Sequence, residues 1–323
     1  MDEFYRALCK AAGEEQVKKQ ESMAFHTTFR TGGPAAFFAA VQTEEGLRKT
    51  VHVCREYRIP WYMLGNGSNL LVGSCGFPGV MIQLDGEFKQ WKTLQEEGAG
   101  YVFLQAGAGL LLSKIGRTAL EQELTGFEFA AGIPGTLGGA VVMNAGAYGG
   151  ELKDILVSAR IMTSNGEVRE LPAGELALSY RHSCIPEKGY IVLSAVIKLK
   201  KGEQEKIQAQ MDELAFRRRD KQPLEYPSAG STFKRPEGSF AGKLIEDAGL
   251  KGFSVGGAQV SEKHAGFIIN RKQADPEEIR DLIEAVKNRV FETSGVWLEP
   301  EVKLLGFETS APGESADAHI KKE

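Results

Sequence analysis

Two clusters of glycine constrain this chain more than any other feature of its sequence. Thirty-eight of its 323 residues are glycine, about 12% against an average of about 7%, and many of them fall at 65–69 and 131–150. Glycine has no Cβ, so the backbone can adopt left-handed conformations and approach other atoms closely. We therefore expect two loops at which the main chain lies against another segment or against a ligand.

The first cluster follows a strand predicted at 61–64. Gly and Asn both tolerate left-handed conformations, so successive N–H groups can converge on an anion such as a diphosphate. A tight turn that needs glycine would explain the same residues. The cluster is not a Walker motif, because no Lys-Ser/Thr pair follows it. The candidate binding residues are Gly65, Asn66, Gly67, Ser68, Asn69 and Leu70.

The second cluster has seven glycines among the twenty residues from 131 to 150, with apolar residues between them. A disordered linker would carry Ser, Gln or charge instead. The pattern indicates packed backbone against which a flat ring can lie, although a purely structural turn remains an alternative. No strand-GxGxxG-helix unit supports a Rossmann site. The candidate residues are Gly132, Pro134, Gly135, Gly138, Gly139, Ala140 and Asn144.

Charge and composition exclude several classes of function. A formal net charge of -4 gives no reason to expect nucleic-acid or anionic-membrane binding. The histidines show no metal-binding spacing, and we expect no metal. The four cysteines form no C-x-x-C pair, and neither a signal peptide nor an apolar run of membrane-spanning length is present. We expect a cytoplasmic protein with reduced thiols.

Apolar periodicity predicts a mixture of helices and strands. Asp275-Pro276-Glu277-Glu278 is a strong helix start, with a cap, a proline and a carboxylate three residues after the cap. Asn165-Gly166 predicts a hairpin turn, and 309–323 has the composition of a disordered tail. Helices are expected at 3–19, after Thr43, at 110–122, around 207–219 and after Asp275. Strands are expected at 37–41, 61–64, 80–84, 101–106, 155–163, 190–199 and 297–305.

Several motifs, taken together and in order, resemble the UDP-N-acetylenolpyruvoylglucosamine reductase family (MurB). The resemblance covers roughly 23–307. Fifty residues separate Arg181 from Ser231, which is similar to the shorter, type II branch that lacks an extra loop. The motifs are His26 to Gly33, Gly65 to Asn69, Gly126 to Asn144, Ser179-Tyr180-Arg181, Ser228 to Lys234 and Leu298 to Val302.

The resemblance implies an α+β fold: two FAD-binding subdomains of the vanillyl-alcohol-oxidase (PCMH) type and a C-terminal α/β substrate-binding domain. The expected division is an N-terminal helix and first subdomain at 1–85, a second subdomain at 86–201, the substrate domain at 202–307 and a tail at 308–323. A change to polar, helical composition near residue 201 agrees with it.

The resemblance also implies the chemistry. FAD, held without a covalent bond, is reduced by NADPH and then reduces the enolpyruvyl group of a UDP-sugar in peptidoglycan precursor synthesis. Ser231 is the implied proton donor, and Arg181 and Glu301 are its electrostatic partners. Arg30 joins the cofactor-binding residues. The candidate substrate contacts are Tyr180, Tyr226, Lys234, Lys243 and His264, and the expected state is a monomer.

Each residue also has a plainer interpretation. Arg181 could pair with a surface carboxylate, and Ser231 could be an ordinary turn serine. Glu299, Glu301 and Lys303 could form an exposed ladder on one face of the predicted strand; the family's acid directly precedes a valine, which favours Glu301. The run at 217–219 could be a solvated helix end or a phosphate contact.

Two other functions remain alternatives at this level. An FAD-dependent oxidase of the same fold, acting on a small alcohol with oxygen, would not explain Arg181, Ser231 and Glu301 occurring together. A non-catalytic nucleotide-binding module would keep the glycine clusters and need no proton donor.

Overall fold

Helices and strands are mixed along the chain, as expected for the α+β class. The computed structural model describes residues 1–97 and 100–307, so the tail predicted at 308–323 lies outside the described residues. The α-helices are α1 (Asp2–Ala12), α2 (Glu44–Glu56), α3 (Leu112–Glu121), α4 (Leu137–Met143), α5 (Gln204–Lys221), α6 (Ala241–Asp247) and α7 (Pro276–Ser294).

The first sheet has four strands in the order β1-β2-β5-β3. Its inner strand β5 pairs in parallel with both β2 and β3, and β1 is antiparallel to β2. Helix α2 connects β2 to β3. The strands of this segment are β1 (Val17–Ser22), β2 (Pro34–Val41), β3 (Trp61–Leu64), β4 (Leu70–Val72) and β5 (Phe77–Leu84).

Helix α2 has the predicted cap and buried face. The Thr43 hydroxyl accepts a hydrogen bond from Gly46 N at 3.1 Å, and Leu47, Val51 and Cys54 are buried. The helix predicted at 3–19 is wrong in its second half. It ends at Ala12 because Gly13 takes φ 99°, and the residues beyond form β1, whose main chain pairs with β2.

The second sheet is antiparallel, in the order β12-β11-β13-β7-β6, with β8 also pairing with β13. The Asn165-Gly166 hairpin is confirmed, since it joins β11 to β12 with Met162 opposite Val168. One apolar core contains buried side chains of both sheets and of helices α1 to α4. The strands are β6 (Trp91–Glu97), β7 (Tyr101–Gly107), β8 (Leu124–Thr125), β9 (Gly146–Ala147), β10 (Gly150–Glu151), β11 (Leu156–Met162), β12 (Val168–Pro172) and β13 (Ile191–Lys201).

The third segment packs helix α7 on a small antiparallel sheet in the order β14-β15-β16. The predicted start of α7 is confirmed: Asp275 and Glu278 form a capping box, with Pro276 in the first turn. The predicted apolar stripe is buried in a second core; it consists of Ile279, Leu282, Ile283, Val286 and Val290. The strands are β14 (Ser254–Val255), β15 (Ala258–Val260), β16 (Ile268–Asn270) and β17 (Lys303–Leu305).

The strand predicted at 297–305 is shorter than expected. Only β17 forms, parallel to β4. Pro300 has no N–H to donate to a ladder, and the chain before β17 instead bridges to 233–234: Phe233 pairs with Pro300, and Lys234 N donates to Glu299 O at 2.9 Å. The predicted ladder of Glu299, Glu301 and Lys303 on one strand face is therefore wrong.

Truncating the stripe of α7 is expected to destabilise the third segment strongly. Leu282 is 0% exposed, and removing a buried leucine side chain lowers the free energy of unfolding by about 2–5 kcal/mol. Leu224→Ala is the control, because that side chain is 52% exposed and its truncation should change stability by less than about 0.5 kcal/mol. Denaturant unfolding measures both, and equal losses would contradict the assigned core.

Within residues 1–97 and 100–307, no helix has the length and apolar character needed to cross a membrane.

Candidate active site

The first glycine cluster forms the turn between β3 and β4. Gly67 has φ 60°, and a Cβ on it would lie 1.9 Å from His26 O, so only glycine fits. The Gly67 carbonyl accepts hydrogen bonds from Thr28 N at 3.1 Å and from the Thr28 hydroxyl at 3.4 Å. The 26–28 segment therefore fixes the shape of this turn.

The second glycine cluster leads into α4, whose cap Thr136 accepts from Gly139 N at 3.4 Å. Packing requires glycine at Gly138, since a Cβ there would lie 2.9 Å from the Ala108 Cβ. Packing does not require it at Gly135 or Gly139, where a Cβ would meet no described atom closer than 3.8 and 3.6 Å respectively. Gly139 is exposed within a helix, where glycine is unfavourable by about 1 kcal/mol relative to alanine.

The two clusters face each other. Asn66 Nδ2 donates to Pro134 O at 2.8 Å, and a Cβ on Gly65 would lie 2.9 Å from the Thr136 hydroxyl. The open face of Gly135 thus adjoins the first turn, since a Cβ on it would lie 3.9 Å from the Ser68 hydroxyl. This fits a cofactor with a diphosphate and a flat ring system, as FAD has.

Arg181 and Glu301 form a half-buried ion pair. Arg181 Nε donates to Glu301 Oε1 at 2.7 Å, with the side chains 21% and 13% exposed. Arg181 has φ 54° and lies in a turn closed by two backbone hydrogen bonds of 3.2 Å between Ser179 and His182. The plainer interpretation of Arg181, pairing at the open surface, is wrong, because only 13% of its partner's side chain is exposed.

Ser231 lies beside this pair through Thr232. The Thr232 carbonyl accepts from Glu301 N at 2.8 Å, and Thr232 N donates to Gly266 O at 2.9 Å. Gly230 turns the chain with φ 74°. Ser231 itself is exposed, and among the residues that the structure describes its hydroxyl has no hydrogen-bond partner. The hydroxyl is therefore available to a substrate.

Burial raises the pKa of Glu301 above the ordinary value, although the charges of Arg181 and, further away, Lys234 oppose this shift. A carboxyl group out of water favours its neutral form. The proton on Glu301 is therefore held to a higher pH in the folded protein than in the unfolded chain.

Glu301→Gln should change how stability depends on pH. Because the folded state binds the Glu301 proton more tightly, the wild-type protein loses stability, relative to the variant, as pH rises from the ordinary glutamate pKa through the folded one. Denaturant unfolding of both proteins at a series of pH values measures this difference. A difference that stays constant, or one that moves the other way with pH, would contradict the raised pKa.

The other predicted cofactor residues fall into three groups: an exposed arginine, two buried apolar residues, and two asparagines whose side chains bond within the protein. The Arg30 side chain is exposed and its φ is 55°, whereas Leu70 and Ala140 are buried and can offer only their main chain. Asn69 and Asn144 both use their side-chain amides within the protein. Their role as direct cofactor ligands stays a prediction.

The predicted substrate residues are more dispersed. The Tyr180 hydroxyl accepts from Arg235 N at 3.1 Å, and Lys234 pairs with Glu299 next to the catalytic segment. Lys243 instead pairs with Asp247 on its own helix at 3.0 Å. His264 Nδ1 accepts from Gly266 N at 3.1 Å, and burial lowers its pKa. Tyr226 is half-buried in the turn after α5, where its N–H donates to Pro223 O at 3.1 Å.

Sequence reasoning did not single out Thr232, whose carbonyl accepts from Glu301 N at 2.8 Å, or Glu151, which accepts from Asn144 Nδ2 at 3.0 Å. It left 217–219 open between a solvated end and a phosphate contact. Arg218 donates to Gly132 O and lies 5.7 Å from the Tyr148 ring centroid, so α5 contacts the second glycine cluster. No local pattern could reveal these contacts, because the partners are far apart in sequence.

Comparison with known proteins agrees with this geometry. Residues 35–172 match the family described as an FAD binding domain, and 222–305 match the C-terminal domain of UDP-N-acetylenolpyruvoylglucosamine reductase. A reductase of that name from Clostridium perfringens (strain SM101) is 48% identical over 304 residues, 94% of this chain and 98% of its own length. Another, from Lachnoclostridium phytofermentans, is 50% identical over 292 residues, 90% and 94% of the two chains. The crystal structure of the Thermus caldophilus reductase (MurB) is 37% identical with a TM-score of 0.75, covering 90% and 98% of the two chains.

Proposed function

The chain belongs to the UDP-N-acetylenolpyruvoylglucosamine reductase family, and on that premise we propose how its residues divide the reaction. It is an FAD-dependent enzyme that reduces UDP-N-acetylglucosamine enolpyruvate to UDP-N-acetylmuramate with NADPH, in peptidoglycan precursor synthesis. The observation that carries the division of roles is the Arg181–Glu301 pair at 2.7 Å, beside the exposed Ser231 and connected to the first glycine cluster.

The two glycine clusters hold FAD through their main chain. Gly65 to Asn69 receive the diphosphate, and the open faces of Gly135 and Gly139 leave room for a flat ring. This assignment is supported by the glycines that internal packing does not require. When bound, FAD carries a hydride from NADPH to the terminal carbon of the enolpyruvyl double bond.

Arg181 binds the carboxylate of the enolpyruvyl group, because a guanidinium offers directed, charge-assisted hydrogen bonds. Charge develops on those carboxylate oxygens as the terminal carbon gains a hydride, and a fixed cation stabilises it. Glu301 holds the guanidinium through Nε and Nη1 donates to Gly146 O at 3.4 Å, which leaves Nη2 for substrate. The buried position of Glu301 supports this fixed orientation.

Ser231 gives a proton to the carbon next to the carboxylate. The hydride on one carbon and the proton on its neighbour together saturate the double bond, and the serine alkoxide regains its proton from solvent. The support is its exposed hydroxyl on a turn that Gly230 and Thr232 fix beside Glu301. A positioned general acid typically contributes about 10²–10⁴-fold in rate.

We propose domain boundaries at residues 85 and 201, because the strands before and after each boundary belong to different sheets. Strands β1–β5, apart from β4, form one sheet, β6–β8 and β11–β13 form the second, and β14–β16 form the third, while β9 pairs only with β10. The pairing of β4 with β17 joins the first segment to the third beside the candidate site. We place the enzyme in the cytoplasm. We also propose that it is a monomer, which size-exclusion chromatography of the purified protein tests.

A purified preparation tests this function. The protein should carry flavin absorbance, and its NADPH consumption should depend on added UDP-N-acetylglucosamine enolpyruvate. A protein without flavin would contradict the enzyme assignment and favour a non-catalytic nucleotide-binding module. Flavin whose NADPH turnover ignores the sugar and follows oxygen and an alcohol would favour an oxidase.

A further inference from the structure

One asparagine in each glycine cluster donates its side-chain amide to backbone at or near one partner of the Arg181–Glu301 pair. Asn69, at the end of the first turn, donates from Nδ2 to Glu301 O at 3.0 Å. Asn144, which follows α4, donates from Nδ2 to Ser179 O at 3.0 Å, two residues before Arg181. The first cluster therefore contacts the backbone of the acid, and the second contacts the turn that carries the arginine.

Asn144 has no amide hydrogen left for a ligand. It is 1% exposed, and its Nδ2 also donates to Glu151 Oε2 at 3.0 Å, while its Oδ1 accepts from Lys153 N at 2.9 Å. A side-chain amide has two donor hydrogens, and both are directed within the protein. Asn144 thus fastens the turn that carries Arg181 to the end of α4.

The Arg181 turn needs such a fastening. A non-glycine residue at φ 54° persists only where its surroundings hold it, at about 1–3 kcal/mol. The Ser179–His182 hydrogen bonds close the turn on itself. Three side-chain bonds tie it to the second glycine cluster: Arg181 Nη1 donates to Gly146 O at 3.4 Å, Ser183 Oγ to Val142 O at 2.7 Å, and Asn144 Nδ2 to Ser179 O at 3.0 Å. The Asn144 amide is the one of these that also donates to Glu151.

Asn69 performs the equivalent task for Glu301. Besides the bond from its amide, its carbonyl accepts from Lys303 N at 3.0 Å. These two bonds hold the chain on either side of Val302, and the Glu301 N–H donates to Thr232 O at 2.8 Å. The main chain that carries the Glu301 carboxylate is therefore held by Asn69 of the first glycine cluster and by Thr232, the residue after Ser231.

We propose that Asn69 and Asn144 are positioning residues that hold Glu301 and Arg181 in register with the glycine clusters. The proposal rests on the proposed function, because it concerns the reduction of the enolpyruvyl sugar. The proposal predicts that only one of the two half-reactions is affected. Losing either amide should slow reduction of the sugar and spare reduction of the flavin by NADPH, in which this pair has no carboxylate to bind.

The test uses Asn69→Ala and Asn144→Gly as FAD-loaded enzymes, with each half-reaction followed by flavin absorbance and expressed per bound flavin. Glycine accepts the left-handed backbone of Asn144, φ 41°, without strain. Each variant should slow oxidation of the reduced flavin by the sugar at least about tenfold, as expected for losing one or two hydrogen bonds to a positioned pair. Flavin reduction by NADPH should change less than about twofold.

Asn144→Asp is the second variant at that site, because it keeps the oxygen that accepts from Lys153 N and loses both donors. Asn165→Ala is the matched control: this asparagine lies in the hairpin between β11 and β12, where it bonds to Thr163, and both half-reactions should stay unchanged. In the Asn69→Ala, Asn144→Gly double variant the loss should be smaller than the product of the single losses, since both residues serve one ion pair.

Three results would overturn the proposal. Loss of FAD with unchanged rates per bound flavin would make the asparagines flavin ligands. Lower thermal stability with unchanged rates would make them structural only. Equal slowing of both half-reactions would place them in flavin chemistry. Because the wild-type enzyme is assayed alongside, its failure to reduce the sugar would instead reject the function itself.

Discussion

Ser231→Ala is expected to slow reduction of the enolpyruvyl sugar by about 10²–10⁴-fold, the range typical of a lost general acid, while flavin reduction by NADPH stays nearly intact. The hydroxyl is exposed on a turn fixed by Gly230 and Thr232, so the substitution removes the proton donor without disturbing the backbone. The hydride step from NADPH requires no such donor.

Stopped-flow measurement of each half-reaction separates these two rates. Ser254→Ala is a suitable control, because that exposed serine on β14 bonds only to near neighbours: it donates to Gly252 O and accepts from Gln259 Nε2, both at 3.1 Å. It should leave both rates unchanged. If Ser231→Ala slowed the two half-reactions equally, the proton-donor role would be excluded.

Gly67→Ala is expected to deplete the purified protein of FAD. The new methyl group would lie 1.9 Å from His26 O, and the other close atoms, in His26 and Thr27, are also backbone. A flexible side chain could move aside, but this backbone cannot do so without opening the turn. Left-handed φ adds strain of about 1–3 kcal/mol, equivalent to about 5- to 150-fold in affinity if only the bound shape of the turn is affected.

The ratio of flavin to protein after purification, and titration of the apoprotein with FAD, measure this loss. Gly174→Ala is the matched control, because a Cβ there would have no described atom within 4 Å and its φ is not in the left-handed region. It should retain full FAD. A Gly67→Ala protein with normal FAD content would show that this turn is not the diphosphate site.

Local chemistry made part of the fold predictable. The cap at Thr43, the capping box at Asp275 and the Asn165-Gly166 hairpin depend on residues within a few positions of one another, and all three were confirmed. The two glycine clusters were equally visible. Which of their glycines serve packing and which leave open faces could not be predicted, because the neighbours, such as Ala108 beside Gly138, lie in other elements.

The errors and omissions have one physical cause, which is competition from distant backbone. The helix predicted through residue 19 gave way after Gly13 to a strand paired with β2, and the strand predicted from 297 gave way to a bridge with Phe233. Asn69 and Glu301 are 232 residues apart, so no sequence pattern joins them. The resemblance to the family named Arg181, Ser231 and Glu301, but not the residues that hold them.

The most direct test of the central claim is an anaerobic single turnover. The flavin is reduced with one equivalent of NADPH, and UDP-N-acetylglucosamine enolpyruvate is then added. We expect the flavin to be reoxidised with formation of an equal amount of UDP-N-acetylmuramate, identified by mass spectrometry. Flavin that stays reduced until oxygen is admitted, with no muramate product, would contradict the assignment.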